Sequence, residues 1–116
     1  MHRIVRALGC CALVSSLAAC VVAPQQSAAP RLNPHEVAVQ RLDQVDGRIN
    51  AMNHRIDTRV NQGYYPPPAG GELHHRLETI HHEAHDMAAQ HGGGLSGDEQ
   101  RVLNQELDTA SAAINR

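Results

Sequence analysis

The chain has no phenylalanine, no tryptophan and no lysine, and its two aromatic residues, Tyr64 and Tyr65, are neighbours. Without large rings, a core must be built from Leu, Ile, Val, Met and Ala. Such a core is modest, and an isolated monomer is expected to be marginally stable. Without lysine, all basic side-chain charge rests on arginine, and ten Arg face twelve Asp plus Glu for a formal charge of −2. No basic patch exists to displace phosphate counterions, so nucleic acid is not an expected partner. No nucleophile–base pair, phosphate loop or closed metal set can be assembled, so no enzyme is expected. What the chain has in excess is histidine, with nine residues that ordinarily titrate near pH 6.5.

The N-terminus has a basic start (Arg3, Arg6), an apolar stretch from Ala7 to Ala19 too short to span a bilayer, and then Leu17-Ala18-Ala19-Cys20. This layout resembles a secretory signal ending in the lipobox of bacterial lipoproteins. The resemblance implies cleavage before Cys20, a thioether-linked diacylglycerol on its sulfur, and an acylated amine. Residues 1–19 are then a signal peptide, and the partner of Cys20 is membrane lipid. One acyl chain holds a protein marginally and several hold it firmly. Val21 follows Cys20 where an aspartate would, in enteric bacteria, favour inner-membrane retention. The resemblance therefore favours the outer membrane, facing the periplasm. With no lysine and Arg116 at its end, the chain is not expected to join peptidoglycan through a terminal lysine, as the major murein lipoprotein does.

Cleavage removes Cys10 and Cys11 and leaves one cysteine, so no internal disulfide is expected although export points to an oxidising compartment. Loss of Arg3 and Arg6 leaves eight arginines against twelve acids, a formal charge of −4. Eight histidines remain, enough to carry that charge to +4 if all were protonated.

From Cys20 to residue 36 the sequence mixes Ala, Gln and Ser with Pro24, Pro30 and Pro34, without periodicity, and reads as a flexible tether. Residues 37–116 read as a helical domain. The first helix is expected over about 35–61, where Leu42, Val45, Ile49, Met52 and Ile56 alternate spacings of 3 and 4. That stripe fits one face of a small bundle, and it also fits a coiled-coil seam open to self-association or a partner helix.

Gly63-Tyr64-Tyr65-Pro66-Pro67-Pro68-Ala69-Gly70-Gly71 is expected to break the helix and to run extended, as a stiff connector. A second helix over about 72–90 carries Leu73, Leu77, Ile80, Ala84 and Met87 on one face and ends at His91-Gly92-Gly93-Gly94. A third, over about 97–115, starts with the S-x-x-E capping spacing of Ser96 and Glu99 and carries Leu103, Leu107, Ala110 and Ile114. An offset of thirty superposes Gly63 on Gly93, Tyr65-Pro66 on Leu95-Ser96, Leu73 on Leu103 and Leu77 on Leu107, which suggests two helix–loop–helix units sharing the middle helix. Together these readings predict an all-α fold, a small antiparallel three-helix bundle or helical hairpin array after a tether.

Arg55-Ile56-Asp57, Gly63 and Gly94-Leu95-Ser96-x-x-Glu99 with Leu103, Glu106-Leu107-Asp108 and Ile114 resemble small, mostly uncharacterised exported bacterial proteins that repeat G-x-L-[ST]-x-x-E units. The unit also resembles the back half of an EF-hand loop. The preceding ligand positions would be Ala88, Gln90 and Gly92, none a carboxylate, so calcium is not expected.

One constellation has chemical potential. On a helix, His74, His81 and His85 line one edge of the apolar face of the second segment, with Glu78 beside them, and His82 and Asp86 form another one-turn pair. Imidazole and carboxylate so placed suit weakly bound Zn²⁺, Ni²⁺ or Cu²⁺. The H-E-x-x-H zinc-protease pattern is absent, because His81-His82-Glu83-Ala84-His85 puts the acid one place late. Three readings stay open: solvated histidines paired with acids one turn away, a metal site at His74, Glu78, His81 and His85, and a pH switch. The leading functional expectation is a lipid-anchored, non-catalytic structural or interaction module without cofactor. The rival is a metal-binding or metal-sensing envelope lipoprotein.

Overall fold

A computed structural model describes residues 31–116, and the lipobox with Cys20 lies outside them. Helix α1 spans Pro34–Asn61, α2 Pro67–Gln90 and α3 Gly97–Ile114. The fold is all-α, as the periodicity predicts. Among the described residues no helix is long and apolar enough to cross a membrane.

Helix α1 starts inside the stretch read as tether. The Asn33 side chain accepts the Glu36 N–H at 2.8 Å, and Glu36 accepts the Asn33 N–H at 3.0 Å. Pro34 at the first helical position has no N–H to leave unpaired there. This capping box was readable from Asn33-x-x-Glu36. The apolar stripe, which begins only at Leu42, hid it. The helix ends in a Schellman turn: Gly63 adopts φ +79°, its N–H donates to Val60 O, and the Tyr64 N–H donates to Arg59 O. The Arg59 guanidinium sits 4.5 Å over the Tyr64 ring and closes the same turn.

The connector is shorter than expected, which corrects the reading of residues 63–71 as wholly extended. Pro66 is the extended N-cap, Pro67 and Pro68 occupy the first positions of α2, and Gly70 is buried within it. Proline breaks helix interiors by removing a donor, but the first turn has no acceptor for that donor. The tandem prolines thus start α2 five residues before the expected boundary. Helix α2 ends as α1 does, with Gly92 at φ +79° and the Gly93 N–H donating to Ala88 O at 2.8 Å. The structural counterpart of Gly63 is therefore Gly92, whereas the N-caps Pro66 and Ser96 keep the offset of thirty. The Ser96–Glu99 capping box forms as the spacing predicts.

All three helices touch one another, in an up–down–up order. Gln44 and Arg48 of α1 meet Gln100 and Asn104 of α3, so these two run parallel. Asp46 and Asp57 meet His85 and His74, so α2 runs antiparallel to α1. The core joins Leu42, Val45, Ile49, Met52 and Ile56 to Leu77, Ile80, Ala84 and Ala88 and to Leu103, Leu107, Ala110 and Ile114. Leu73 and Met87, expected on the α2 face, are partly buried against it. The α1 stripe left open to a partner helix in sequence is covered here by α2 and α3.

Leu95, between α2 and α3, is completely buried. Its N–H donates to the Ala38 carbonyl at 2.9 Å, and its own carbonyl accepts from Arg41 at 3.2 Å. The second loop is thereby pinned to the beginning of α1.

Candidate functional site

Each helix–helix border has its own polar chemistry. Between α1 and α3, Arg48 donates to Asn104 and to Asp108, both at 2.8 Å. Between α2 and α3, Glu83 and Glu106 face each other. Burial pushes the Glu106 carboxyl above its ordinary value and the Glu83 carboxylate pushes it further, with Arg76 opposing. An acid whose pKa is raised by folding weakens the fold once it ionises, and that stability returns as pH falls through the raised value. Glu106→Gln is therefore expected to raise the melting temperature at neutral pH. Melts repeated in acid should show the gain vanish, because the wild-type carboxyl is then protonated.

The border between α1 and α2 carries the histidines. His74, His81 and His85 follow the apolar positions Leu73, Ile80 and Ala84 directly, so they flank the α2 core face at spacings of 7 and 4. Asp46, Asn53 and Asp57 follow Val45, Met52 and Ile56 in the same way on α1, at the same spacings. Antiparallel packing brings the two flanks into register. His74 reaches Asn53 Oδ1 with Nδ1 at 2.7 Å and Asp57 Oδ1 with Nε2 at 2.8 Å. His85 Nε2 lies 2.9 Å from Asp46 Oδ2, and His81 Nε2 lies 3.7 Å from Asp46 Oδ1.

The four residues grouped by sequence as a metal set are thus divided. His81 and His85 share Asp46, His74 is held by Asn53 and Asp57, and Glu78 stands beside His82 at 3.6 Å. His82 accordingly pairs backwards with Glu78 and not forwards with Asp86. Asp46 was missed because helical spacing within α2 says nothing about the side chain that faces it from α1. Its only signal was a charged residue next to a core position on another helix.

Glu99, the terminal acid of the unit resembling half an EF-hand, is used as a cap. The Ser96 N–H donates to it at 2.9 Å and His91 Nε2 lies 2.6 Å from its other oxygen. The Ser96 backbone hydrogen bond, with help from His91, holds the Glu99 carboxyl below its ordinary value. Comparison with protein-family models, curated proteins and solved structures finds no match for this chain.

Proposed function

We propose that this chain is a lipid-anchored protein of the bacterial cell envelope, with the helical bundle as a non-catalytic structural or protein-interaction module. The observation that carries the reading is Leu17-Ala18-Ala19-Cys20 at the end of a basic, then apolar, N-terminal stretch. Acylated Cys20 would hold the protein to the membrane. Val21 after it favours the outer membrane and a bundle facing the periplasm. The bundle agrees with a binding role more than a catalytic one, because Glu36 and Glu99 serve as caps and Arg48, Asp57 and Asp108 tie helix borders. Its core stripes face one another, so a partner would meet the polar outer surface, where Leu32, Tyr64 and Val102 are exposed apolar side chains. A second reading, a metal-binding envelope lipoprotein, is favoured by one observation: His81 and His85 converge on Asp46.

Metabolic labelling with a clickable palmitate analogue tests the anchor. The wild-type chain is expected to carry label and to partition into detergent, and Cys20→Ser to lose both properties. A wild-type product that keeps residues 1–19, stays unlabelled and remains in the aqueous phase would overturn the reading. Crosslinking in native envelopes would then identify what the bundle touches.

A further inference from the structure

We propose that Asp46, His81 and His85 form a binding site for a divalent transition-metal ion, Zn²⁺ in the reference case, that ties α2 to α1. The site stands on the bundle alone and does not depend on the lipid anchor. His81 and His85 are one turn apart on α2, and their ring centroids lie 4.3 Å apart with the planes tilted by 41°. Both rings turn Nε2 toward the same carboxylate on the neighbouring helix. One donor atom from each of the three residues lies within 4.8 Å of the other two.

These separations suit an ion. Zn–N and Zn–O bonds of about 2.0–2.1 Å in a tetrahedron put neighbouring donors about 3.3 Å apart. Asp46 Oδ1 lies 3.1 Å from His85 Nε2 and 3.7 Å from His81 Nε2, on either side of that value. Side-chain rotations that close the remaining gaps would admit the ion. Each neutral ring would shift its proton from Nε2 to Nδ1, freeing the Nε2 lone pair for the metal. Two imidazoles and one carboxylate select borderline ions such as Zn²⁺, Ni²⁺ or Cu²⁺ over Ca²⁺ and Mg²⁺, which prefer oxygen ligands. Three protein ligands leave a fourth position for water or for a donor from another molecule, as in exchangeable sites. The Asp46 side chain is 27% exposed and the two rings 43% and 45%, so the ion has a route in from solvent.

The site differs in its consequences from a histidine pair on one helix. A pair within α2 would bind metal whether or not the bundle is formed, but Asp46 joins only in the folded state. Binding must then stabilise the bundle by linkage.

The test is zinc titration of the purified full chain at neutral pH against a chromophoric chelator, with thermal unfolding recorded in parallel. One ion per chain with sub-micromolar Kd is expected. Loss of an outer-shell partner alone often costs 10–100-fold in affinity, so Asp46→Asn, His81→Ala and His85→Ala are each expected to weaken binding at least about tenfold. His74→Ala, Glu78→Gln and His82→Ala should leave Kd within about threefold, since these side chains hold no donor at the ion. Zinc at a hundredfold excess over the wild-type Kd should raise the wild-type melting temperature by about 10 °C, and that of Asp46→Asn by no more than about half as much. Affinity unchanged in Asp46→Asn would overturn the site, because the ion would then be held without the α1 carboxylate. A wild-type Kd weaker than about 10 µM, the behaviour of an incidental exposed histidine pair, would overturn it equally.

Discussion

Leu95→Ala is expected to destabilise the bundle by about 3 kcal/mol, within the range for buried leucine truncations. Leu95 precedes the α3 N-cap, where a loop residue is ordinarily wet, yet it is wholly buried. Its main chain bridges to α1 through the Ala38 carbonyl and the Arg41 side chain. Those polar contacts fix the backbone, so the neighbouring helices cannot easily collapse into the space a leucine vacates. Domains of this size hold about 0.05–0.15 kcal/mol per residue, so a loss of this size removes a large part of the total. At about 4–8 °C per kcal/mol, the melting temperature should fall by at least 12 °C in a circular-dichroism melt. Leu32→Ala, at a side chain 50% exposed, is the control and should shift it little. A Leu95→Ala melt within about 3 °C of wild type would show that the loop is not part of the core.

Leu95 also marks the boundary between what is local in this sequence and what depends on packing. The spacing of Leu42, Val45, Ile49, Met52 and Ile56 identified a helical face because burial on a 3.6-residue period is a local property. The same holds for Leu103, Leu107, Ala110 and Ile114, and for the Ser96–Glu99 cap, whose partners lie three residues apart. Pro66-Pro67-Pro68 is ambiguous in sequence because proline has opposite effects in a helix interior and in its first turn, and composition does not say which applies. Whether the α1 stripe would meet α2 and α3 or another chain was likewise undecided by periodicity. Asp46 was invisible for a deeper reason. The pairing of Asp46 with His81 and His85 depends on the register of two helices, and register is set by loop geometry and core packing far from either side chain. The histidine edge was legible, but the acid that divides it into two clusters was not.

The loop that carries Leu95 makes a second demand on the sequence, at Gly94. A Cβ placed there would lie 2.5 Å from Ala38 Cβ, 2.6 Å from the Ala38 carbonyl carbon and 2.8 Å from the Val39 nitrogen. Two of those three atoms belong to the α1 backbone, which cannot yield as a flexible side chain would. Gly94→Ala therefore has to push the loop away from α1, lengthening the Leu95 N–H hydrogen bond to Ala38 and lifting Leu95 from its site. Overpacking of this kind costs about 1–3 kcal/mol, and the shared hydrogen bond places Gly94→Ala toward the upper end. Gly71→Ala provides the opposite case within the same protein. Gly71 lies in α2, has nothing within 4 Å of an added Cβ, and carries no positive φ. Alanine is favoured over glycine inside a helix by about 1 kcal/mol, so Gly71→Ala should raise the melting temperature while Gly94→Ala lowers it. If both substitutions raised it, the close approach of the α2–α3 loop to α1 would be wrong. If only Gly94→Ala lowered it, the glycine would be required by space, because the Ala38 Cβ and the α1 main chain fill the place of its side chain.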